Sequence, residues 1–239
     1  MGKIILLAFG ACTASLTLAS DIHVGSGSSI QAAIDVAVGG DRVLIAAGTY
    51  VERLDLRGKA IELICTDGPT ATIIDANYAG VALRMISGEG AGTVLRSLTT
   101  TGGSGGFGPG GVVTNGTPLL EDCIIRNNVG RLGGGVHGDA TLVRCRIENN
   151  TSSLSHGGGI AVHSSAAVTI DRCVIADNLA SGSLGGAQAG GVWATSATTI
   201  TRLVAGGAKG STVSWNRGAR AGTGRCSSRS TVPQPKLRE

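Results

Sequence analysis

One pattern of residue types repeats along the middle of the chain and constrains the fold more than any other feature. Three segments run from an apolar residue through a cysteine to an asparagine, at 120–128, 142–150 and 170–178. A second pattern, two glycines followed by Val or Ile, recurs at 110–112, 134–136, 158–160 and 190–192. Both patterns return every 22–32 residues, and a joint period of this length is typical of a solenoid.

The spacing of apolar residues inside a repeat indicates the type of solenoid. Three pairs of apolar residues lie two positions apart in the third repeat: Val168 and Ile170, Cys173 and Ile175, and Val192 and Ala194. Period two is typical of strands, and pairs this short predict three small strands per coil. A helical solenoid is excluded, because no apolar run in the repeats keeps a helical period. We predict an all-β fold, a right-handed single-stranded parallel β-helix of about six coils stacked ~4.8 Å apart.

Stacking of the coils places equivalent residues above one another. Asn128, Asn150 and Asn178 each lie five residues after the cysteine position, and we predict that their side-chain amides form a hydrogen-bonded ladder at a turn. The cysteines Cys123, Cys145 and Cys173 are expected to stack inward as small apolar side chains. A disulfide between adjacent coils is the alternative, since stacked Cα atoms about 5 Å apart are within its range.

The first nineteen residues have the anatomy of a secretory signal peptide. Lys3 is followed by an apolar run over 4–12, and the small residues Thr17 and Ala19 predict cleavage after Ala19. A buried first element and a lipoprotein signal at Cys12 are the alternatives. The signal peptide predicts a secreted, extracytoplasmic protein that could be displayed on the cell surface. Past residue 20 no apolar stretch is long enough to predict a transmembrane span.

The β-helix domain is predicted over 20–202, with a capping helix at about 28–38. Ser28 and Gln31 fit a capping box, and one apolar face follows. Such a helix would cover the open edge of the first coil.

The repeat pattern decays after residue 202. Residues 203–239 carry seven Lys and Arg against one Glu. We predict that this basic tail is disordered or is translated out of frame, which would make the chain a truncated one. A genuine basic tail is the alternative. The preceding residues carry 13 basic and 15 acidic side chains, which gives no reason to expect nucleic acid. The uncapped last coil predicts end-to-end self-association.

Several short segments resemble a known superfamily. The sequences at 29–34, 40–41, 47–52 and 58–61 resemble the N-terminal segment of pectin-lyase-like right-handed β-helix proteins. The two repeating patterns are similar to repeats of bacterial surface β-helix proteins, including polymorphic outer-membrane proteins. The resemblance covers roughly residues 28–200. It implies the fold but no single activity, because that superfamily includes lyases, hydrolases, epimerases, esterases and non-catalytic adhesins.

Two sets of residues are candidates for catalysis. Asp139 and His163 occupy the same position relative to the glycine pairs of neighbouring coils, so the carboxylate could orient the imidazole as a general base or form half of a metal site. An ordinary surface hydrogen bond is the alternative. Arg144 and Arg172 precede the cysteines, and in a lyase one of them could remove a C5 proton beside a Ca²⁺ site. The alternative is a ladder of exposed salt bridges, with Asp122 paired to Arg144 and Arg126 paired to Glu148.

A third pair of residues is a candidate for ligand binding. His137 and Trp193 fall in one outward column, two coils apart, and Trp193 could stack on a sugar ring. No metal site is predicted, and Ca²⁺ is expected only if the protein is a lyase.

The sequence therefore favours a secreted or cell-surface scaffold without catalysis, acting in surface contact, adhesion or glycan binding. A polysaccharide lyase or other carbohydrate-active enzyme, or a fragment of one, is the alternative. Aromatic residues make up only 3% of the chain, whereas polysaccharide clefts generally use aromatic platforms.

Overall fold

The fold is a stack of short strands preceded by one helix. A computed structural model describes residues 19–153, 157–162, 168–181, 190–194, 198–200, 202–206, 213–215 and 225–229. Strand β1 (Asp21–Val24) and helix α1 (Ile30–Val36) precede the first complete coil. The strands of six coils follow as β2 (Arg42–Ile45), β3 (Gly48–Tyr50), β4 (Leu54–Asp55), β5 (Glu62–Cys65), β6 (Thr72–Asp75), β7 (Leu83–Met85), β8 (Val94–Arg96), β9 (Thr99–Thr101), β10 (Val112–Thr114), β11 (Leu119–Glu121), β12 (Ile124–Arg126), β13 (Val129–Gly130), β14 (Val136–His137), β15 (Thr141–Val143), β16 (Arg146–Glu148), β17 (Thr151–Ser152), β18 (Ile160–Val162), β19 (Val168–Asp171), β20 (Cys173–Ala176), β21 (Leu179–Ala180) and β22 (Val192–Ala194). Beyond them lie β23 (Thr198–Ile200), β24 (Arg202–Gly206), β25 (Val213–Trp215) and β26 (Arg225–Arg229).

Three parallel sheets form the faces of the solenoid. Sheet A has the order β1-β2-β5-β8-β11-β15-β19-β23, sheet B β26-β24-β20-β16-β12-β9-β6-β3, and sheet C β25-β22-β18-β14-β10-β7-β4. Each coil contributes one strand to A, then one to B, then one to C, and a short ladder β13-β17-β21 lies between sheets B and C. The predicted right-handed parallel β-helix of about six coils is confirmed.

The core consists of three stacked columns of side chains, one from each sheet. The inward column of sheet A is Val43, Leu63, Leu95, Leu120, Leu142 and Ile170. That of sheet B is Tyr50, Ile74, Thr100, Ile125, Ile147 and Ile175. That of sheet C is Leu54, Leu83, Val112, Val136, Ile160 and Val192. All of these side chains are buried. Successive side chains of a strand point to opposite faces of the sheet, so each short strand directs its middle or alternate residues into the core of the prism.

Asparagines and glycines meet at the corner between sheets B and C. The Nδ2 group of Asn128 donates to Oδ1 of Asn150 at 3.0 Å, and that of Asn150 donates to Oδ1 of Asn178 at 3.0 Å. A Cβ atom on Gly135 would lie 3.0 Å from Nδ2 of Asn150 and 2.5 Å from the carbonyl oxygen of Gly159. The asparagine and glycine columns recur together because each buried amide occupies the space that a side chain on the glycine would need.

The stacked cysteines lie inside the prism. Cys65, Cys123, Cys145 and Cys173 are buried free thiols. Hydrogen bonding with the thiols of Cys123 and Cys173, together with burial, raises the pKa of Cys145 well above its usual value. These four cysteines act as small apolar core residues, and none of them forms the inter-coil disulfide that was the alternative.

The predicted capping helix is present as α1. Its buried residues Ile30, Ala33 and Ile34 pack on the first coil. Within the described residues α1 is the one helix, and no helix there is long and apolar enough to cross a membrane.

The N-terminus of the helix differs from the predicted capping box. The N-cap residue is Ser29 rather than Ser28. The carboxylate of Glu52 accepts hydrogen bonds from the backbone N–H groups of Ile30 at 2.7 Å and Gln31 at 3.2 Å. A carboxylate from the first coil thus satisfies two of the free N–H groups of the first helical turn, and the hydroxyl of Ser29 accepts from the N–H of Ala32 at 3.1 Å.

The described backbone beyond residue 202 continues two of the sheets. Strand β24 pairs with β20, β25 with β22, and β26 with β24, all in parallel. Leu203 falls in register with Cys173, and Cys226 with Leu203. The other residues of 203–239 lie outside the described residues, as do residues 1–18 of the predicted signal peptide. The proposed tail and end-to-end association therefore stay predictions.

Candidate functional site

The predicted binding column lies on the outer surface of sheet C. His137, Ala161 and Trp193 are register partners on successive coils, which agrees with the predicted spacing of two coils. Trp193 is only 9% exposed and packs on Ala161. The Nδ1 atom of His137 lies 3.2 Å from the carbonyl oxygen of Leu132, so a glycine-rich loop folds back over this column. Trp193, expected to be exposed, is buried against Ala161 instead. Ligand binding by His137 and Trp193 stays a prediction.

The predicted catalytic pair cannot be assembled from the described residues. Asp139 is 3% exposed, and its backbone carbonyl accepts a hydrogen bond from the hydroxyl of Thr114. His163 lies outside the described residues. Asp139 is therefore a buried residue and not a surface group. Its pairing with His163 stays a prediction.

Charged side chains form a continuous ladder at the corner between sheets A and B. The guanidinium of Arg144 donates from Nε and Nη2 to the two carboxylate oxygens of Asp122, each at 2.8 Å. It also contacts Glu121, which pairs with Arg96 of the preceding coil. Arg172 pairs with Asp171 at 2.8 Å. We call this set the A–B charge ladder.

The electrostatics of the A–B charge ladder oppose catalysis by arginine. The hydrogen bond from Arg144 to Asp122 raises the pKa of Arg144 and lowers that of Asp122. A general base needs the opposite shift, since it must be deprotonated to accept a proton. The ladder contains the exposed salt bridges of the alternative interpretation, while catalysis by Arg144 or Arg172 stays a prediction. Each exposed pair contributes at most about 1 kcal/mol.

One expected pair of this surface is exchanged for another. Arg126 and Glu148 are register partners, as the spacing indicates. Glu148 nevertheless pairs with Arg146 of its own strand at 2.7 Å. Arg146 lies two positions before Glu148, on the same side of the strand. It therefore competes with Arg126 of the preceding coil for the carboxylate of Glu148.

Two exposed aromatic side chains lie at another corner of the prism, between sheets B and C. Phe107 is 84% exposed and Tyr78 is 61% exposed. The guanidinium carbon of Arg131 lies 4.7 Å from the centre of the Phe107 ring, within the range of a cation–π contact. We call Tyr78, Phe107 and Arg131 the aromatic corner.

Backbone hydrogen bonds hold the loops of the aromatic corner together. The N–H of Tyr78 donates to the carbonyl of Gly102 at 2.6 Å, and the N–H of Ser104 donates to that of Gly80 at 2.8 Å. The loops that carry the two rings are thus neighbours on successive coils.

The sequence prediction did not select the aromatic corner, although its rings are visible in the sequence. Tyr78 and Phe107 lie between the strand patterns and belong to no repeating column. The glycine-rich loop that carries Phe107 was the available signal.

The described residues contain no group of three or more His, Cys, Asp or Glu side chains placed to hold a metal ion.

The chain was compared with known proteins. No protein-family model and no curated protein matches it. Among solved structures it is similar to pectate lyase Pel9A, with 15% identity and a TM-score of 0.49 over 81% of this chain and 64% of that protein. It is also similar to the pectin methylesterase of Aspergillus niger, with 18% identity and a TM-score of 0.46 over 87% and 86% of the two chains. For the pectin methylesterase of carrot the identity is 13% and the TM-score 0.45, over 91% and 86%. The chain spans less than two thirds of the pectate lyase, and these similarities assign no activity to it.

Proposed function

We propose that this chain is a secreted or cell-surface β-helix scaffold without catalysis of its own, which binds glycan in surface contact or adhesion. The single observation that carries the proposal is the aromatic corner, where two exposed rings lie on neighbouring loops beside a guanidinium. Exposed aromatic rings are the side chains that bind the apolar faces of sugars, while a polar group at the edge of the ring orients the ligand.

The chemistry of the corner favours an acidic glycan. Arg131 covers one face of the Phe107 ring and its guanidinium can donate two parallel hydrogen bonds to a carboxylate. A uronate residue bound at the edge of this ring could place its carboxylate beside the guanidinium. Polymers of uronic acids are therefore the proposed ligands.

The state of the A–B charge ladder supports the non-catalytic part of the proposal. Its arginines are bound to neighbouring carboxylates, and the raised pKa of Arg144 keeps it protonated. The lyase alternative needs a deprotonated base at this surface.

The binding test uses the full chain and polygalacturonate in isothermal titration calorimetry. We expect Phe107→Ala to weaken binding at least about tenfold, or about 1.4 kcal/mol, because it removes the stacking ring. Val36→Ala is the matched control, since Val36 is 70% exposed on α1, away from the aromatic corner. Arg131→Gln should weaken binding of the uronate polymer but leave binding of a neutral glycan unchanged.

Two results would overturn the proposal. Binding that is equal in the parent chain, Phe107→Ala and Val36→Ala would remove the aromatic corner as the site. Release of unsaturated uronides, detected by ultraviolet absorbance and lost in folded Arg144→Ala, would establish the lyase instead.

A further inference from the structure

A buried carboxylate holds the first described residues of the chain. Asp41 is 3% exposed. Its Oδ1 atom accepts hydrogen bonds from the backbone nitrogen and the hydroxyl of Ser20, each at 2.9 Å. Its Oδ2 atom accepts one from the backbone nitrogen of Val38 at 2.8 Å. The hydrogen bonds from Val38 and Ser20 lower the pKa of Asp41, so the carboxylate is charged at neutral pH.

No cationic side chain in the described ranges forms a salt bridge with this carboxylate. The charge of Lys59 acts on Asp41 from a distance, but its ammonium donates to the carbonyls of Ile34, Asp35 and Ala37 at the end of α1. A buried carboxylate is stabilised best by a charged donor in direct contact, and the donors that the described residues provide to Asp41 are all neutral.

Ser20 directly precedes β1, the first described strand of the stack. Its carbonyl accepts a hydrogen bond from the N–H of Arg42 at 2.9 Å, and β1 pairs with β2 from Asp21 onward. The sequence independently predicts cleavage between Ala19 and Ser20. The predicted new terminus therefore coincides with the atom that contacts Asp41.

We propose that proteolytic removal of residues 1–19 creates an α-ammonium group at Ser20 that binds the Asp41 carboxylate and fastens β1 to the first coil. A peptidase of the export machinery would supply the cleavage, with water as the co-reactant. The C–N bond between Ala19 and Ser20 breaks, and the oxygen of water forms the new carboxylate of Ala19. The protons from water and the new carboxyl group convert the Ser20 amide nitrogen into the ammonium.

Cleavage would strengthen the contact between the Ser20 nitrogen and the Asp41 carboxylate, because a charged donor replaces a neutral one. Before cleavage the Ser20 nitrogen has one neutral N–H, and after cleavage it has three N–H bonds and a positive charge. Hydrogen bonds to charged groups are worth roughly twice those between neutral groups. The processed chain is therefore expected to have the more stable first coil, and this expectation is independent of glycan binding.

The first experiment determines the terminus. The full coding sequence is expressed in a bacterial secretion host, and the exported protein is analysed by intact mass and N-terminal sequencing. We expect the chain to start at Ser20. A mature chain that starts at any other residue would overturn the proposal, because its α-amino group would not lie at Asp41.

The second experiment measures the ion pair. Urea unfolding compares the chain that starts at a free Ser20 with the same chain acetylated at Ser20, which keeps the N–H and removes the charge. We expect acetylation to lower the folding equilibrium constant about tenfold. In the Asp41→Asn background the same acetylation should change it less than about twofold.

Equal stability of the free and acetylated chains would overturn the proposal without any side-chain variant. An equal effect of acetylation in both backgrounds would also overturn it, since the charge would then act on some other group. A failure of Asp41→Asn to fold leaves the first comparison decisive.

Discussion

The substitution Asn150→Ala tests whether the asparagine ladder stabilises the stack of coils. Asn150 is fully buried at the corner between sheets B and C. Its Oδ1 atom accepts from the backbone nitrogen of Asn128 at 3.1 Å and from its Nδ2 atom at 3.0 Å. Its own Nδ2 atom donates to the carbonyl of Ile125 at 2.9 Å and to Oδ1 of Asn178 at 3.0 Å.

The magnitude follows from these four hydrogen bonds. Alanine removes all of them and leaves the buried N–H of Asn128 without its acceptor. An unsatisfied buried group costs about 1–3 kcal/mol, and each of the other lost bonds about 1 kcal/mol. We expect the free energy of unfolding to fall by about 4–6 kcal/mol. That is a large part of the 5–15 kcal/mol that a domain typically has.

The assay is equilibrium unfolding in urea, followed by far-ultraviolet circular dichroism and by tryptophan fluorescence. Coincident transitions would justify a two-state analysis of the coupled coils. The matched control is Asn149→Gly at the neighbouring position, which is exposed and has φ of +55°. Glycine adopts this conformation without strain, so the control should lie within about 0.5 kcal/mol of the parent chain.

A fall of less than about 1 kcal/mol in Asn150→Ala, similar to the control, would refute the reasoning. The ladder would then be a consequence of stacking and not a cause of its stability.

Three further predictions concern the same coils. Gly135→Ala should lower the free energy of unfolding by about 1–3 kcal/mol, because its Cβ atom would lie 2.5 Å from the carbonyl oxygen of Gly159; Gly25→Ala, with no atom within 4 Å, is the control in the same urea assay. Arg172→Gly should raise the free energy of unfolding by about 0.5 kcal/mol, because Arg172 has φ of +52° and the backbone strain that glycine relieves exceeds the energy of the exposed ion pair that is lost. Arg146→Gly, in the extended strand β16, should instead lower the free energy of unfolding. Burial raises the pKa of Cys65 from about 9 to about 12, so the stability that the protonated thiol contributes is complete below pH 9 and falls as the pH rises towards 12. Cys65→Val should flatten that part of the curve of unfolding free energy against pH, and an unchanged slope would contradict the shift.

The repeat architecture could be predicted from sequence because a solenoid turns linear spacing into spatial register. The positions of Asn128, Asn150 and Asn178 five residues after their cysteines place them above one another in the structure. The glycine column has the same origin, since each Gly must leave room for one amide. Contacts between neighbouring coils depend mainly on such local periodicity.

The candidate site could be predicted only in part, because register does not determine what covers an outward side chain. Spacing placed His137 and Trp193 in one column but did not indicate the burial of Trp193. Spacing likewise placed Arg144 beside Asp122, while its second contact with Glu121 depends on side-chain conformation. Tyr78 and Phe107 lie outside every repeat, so their proximity follows only from the folded loops.

The sequence by itself determined the parallel β-helix, its period, its inward columns and its capping helix, because these depend on patterns that repeat along the chain. The tertiary structure decided which outward groups are open, which charges are paired and which atom meets Asp41. Those features depend on non-repeating loops and on contacts across more than twenty residues, such as that of Ser20 with Asp41. A side chain's chemistry is set by its neighbours in space, and for these residues the neighbours are assembled only when the coils close.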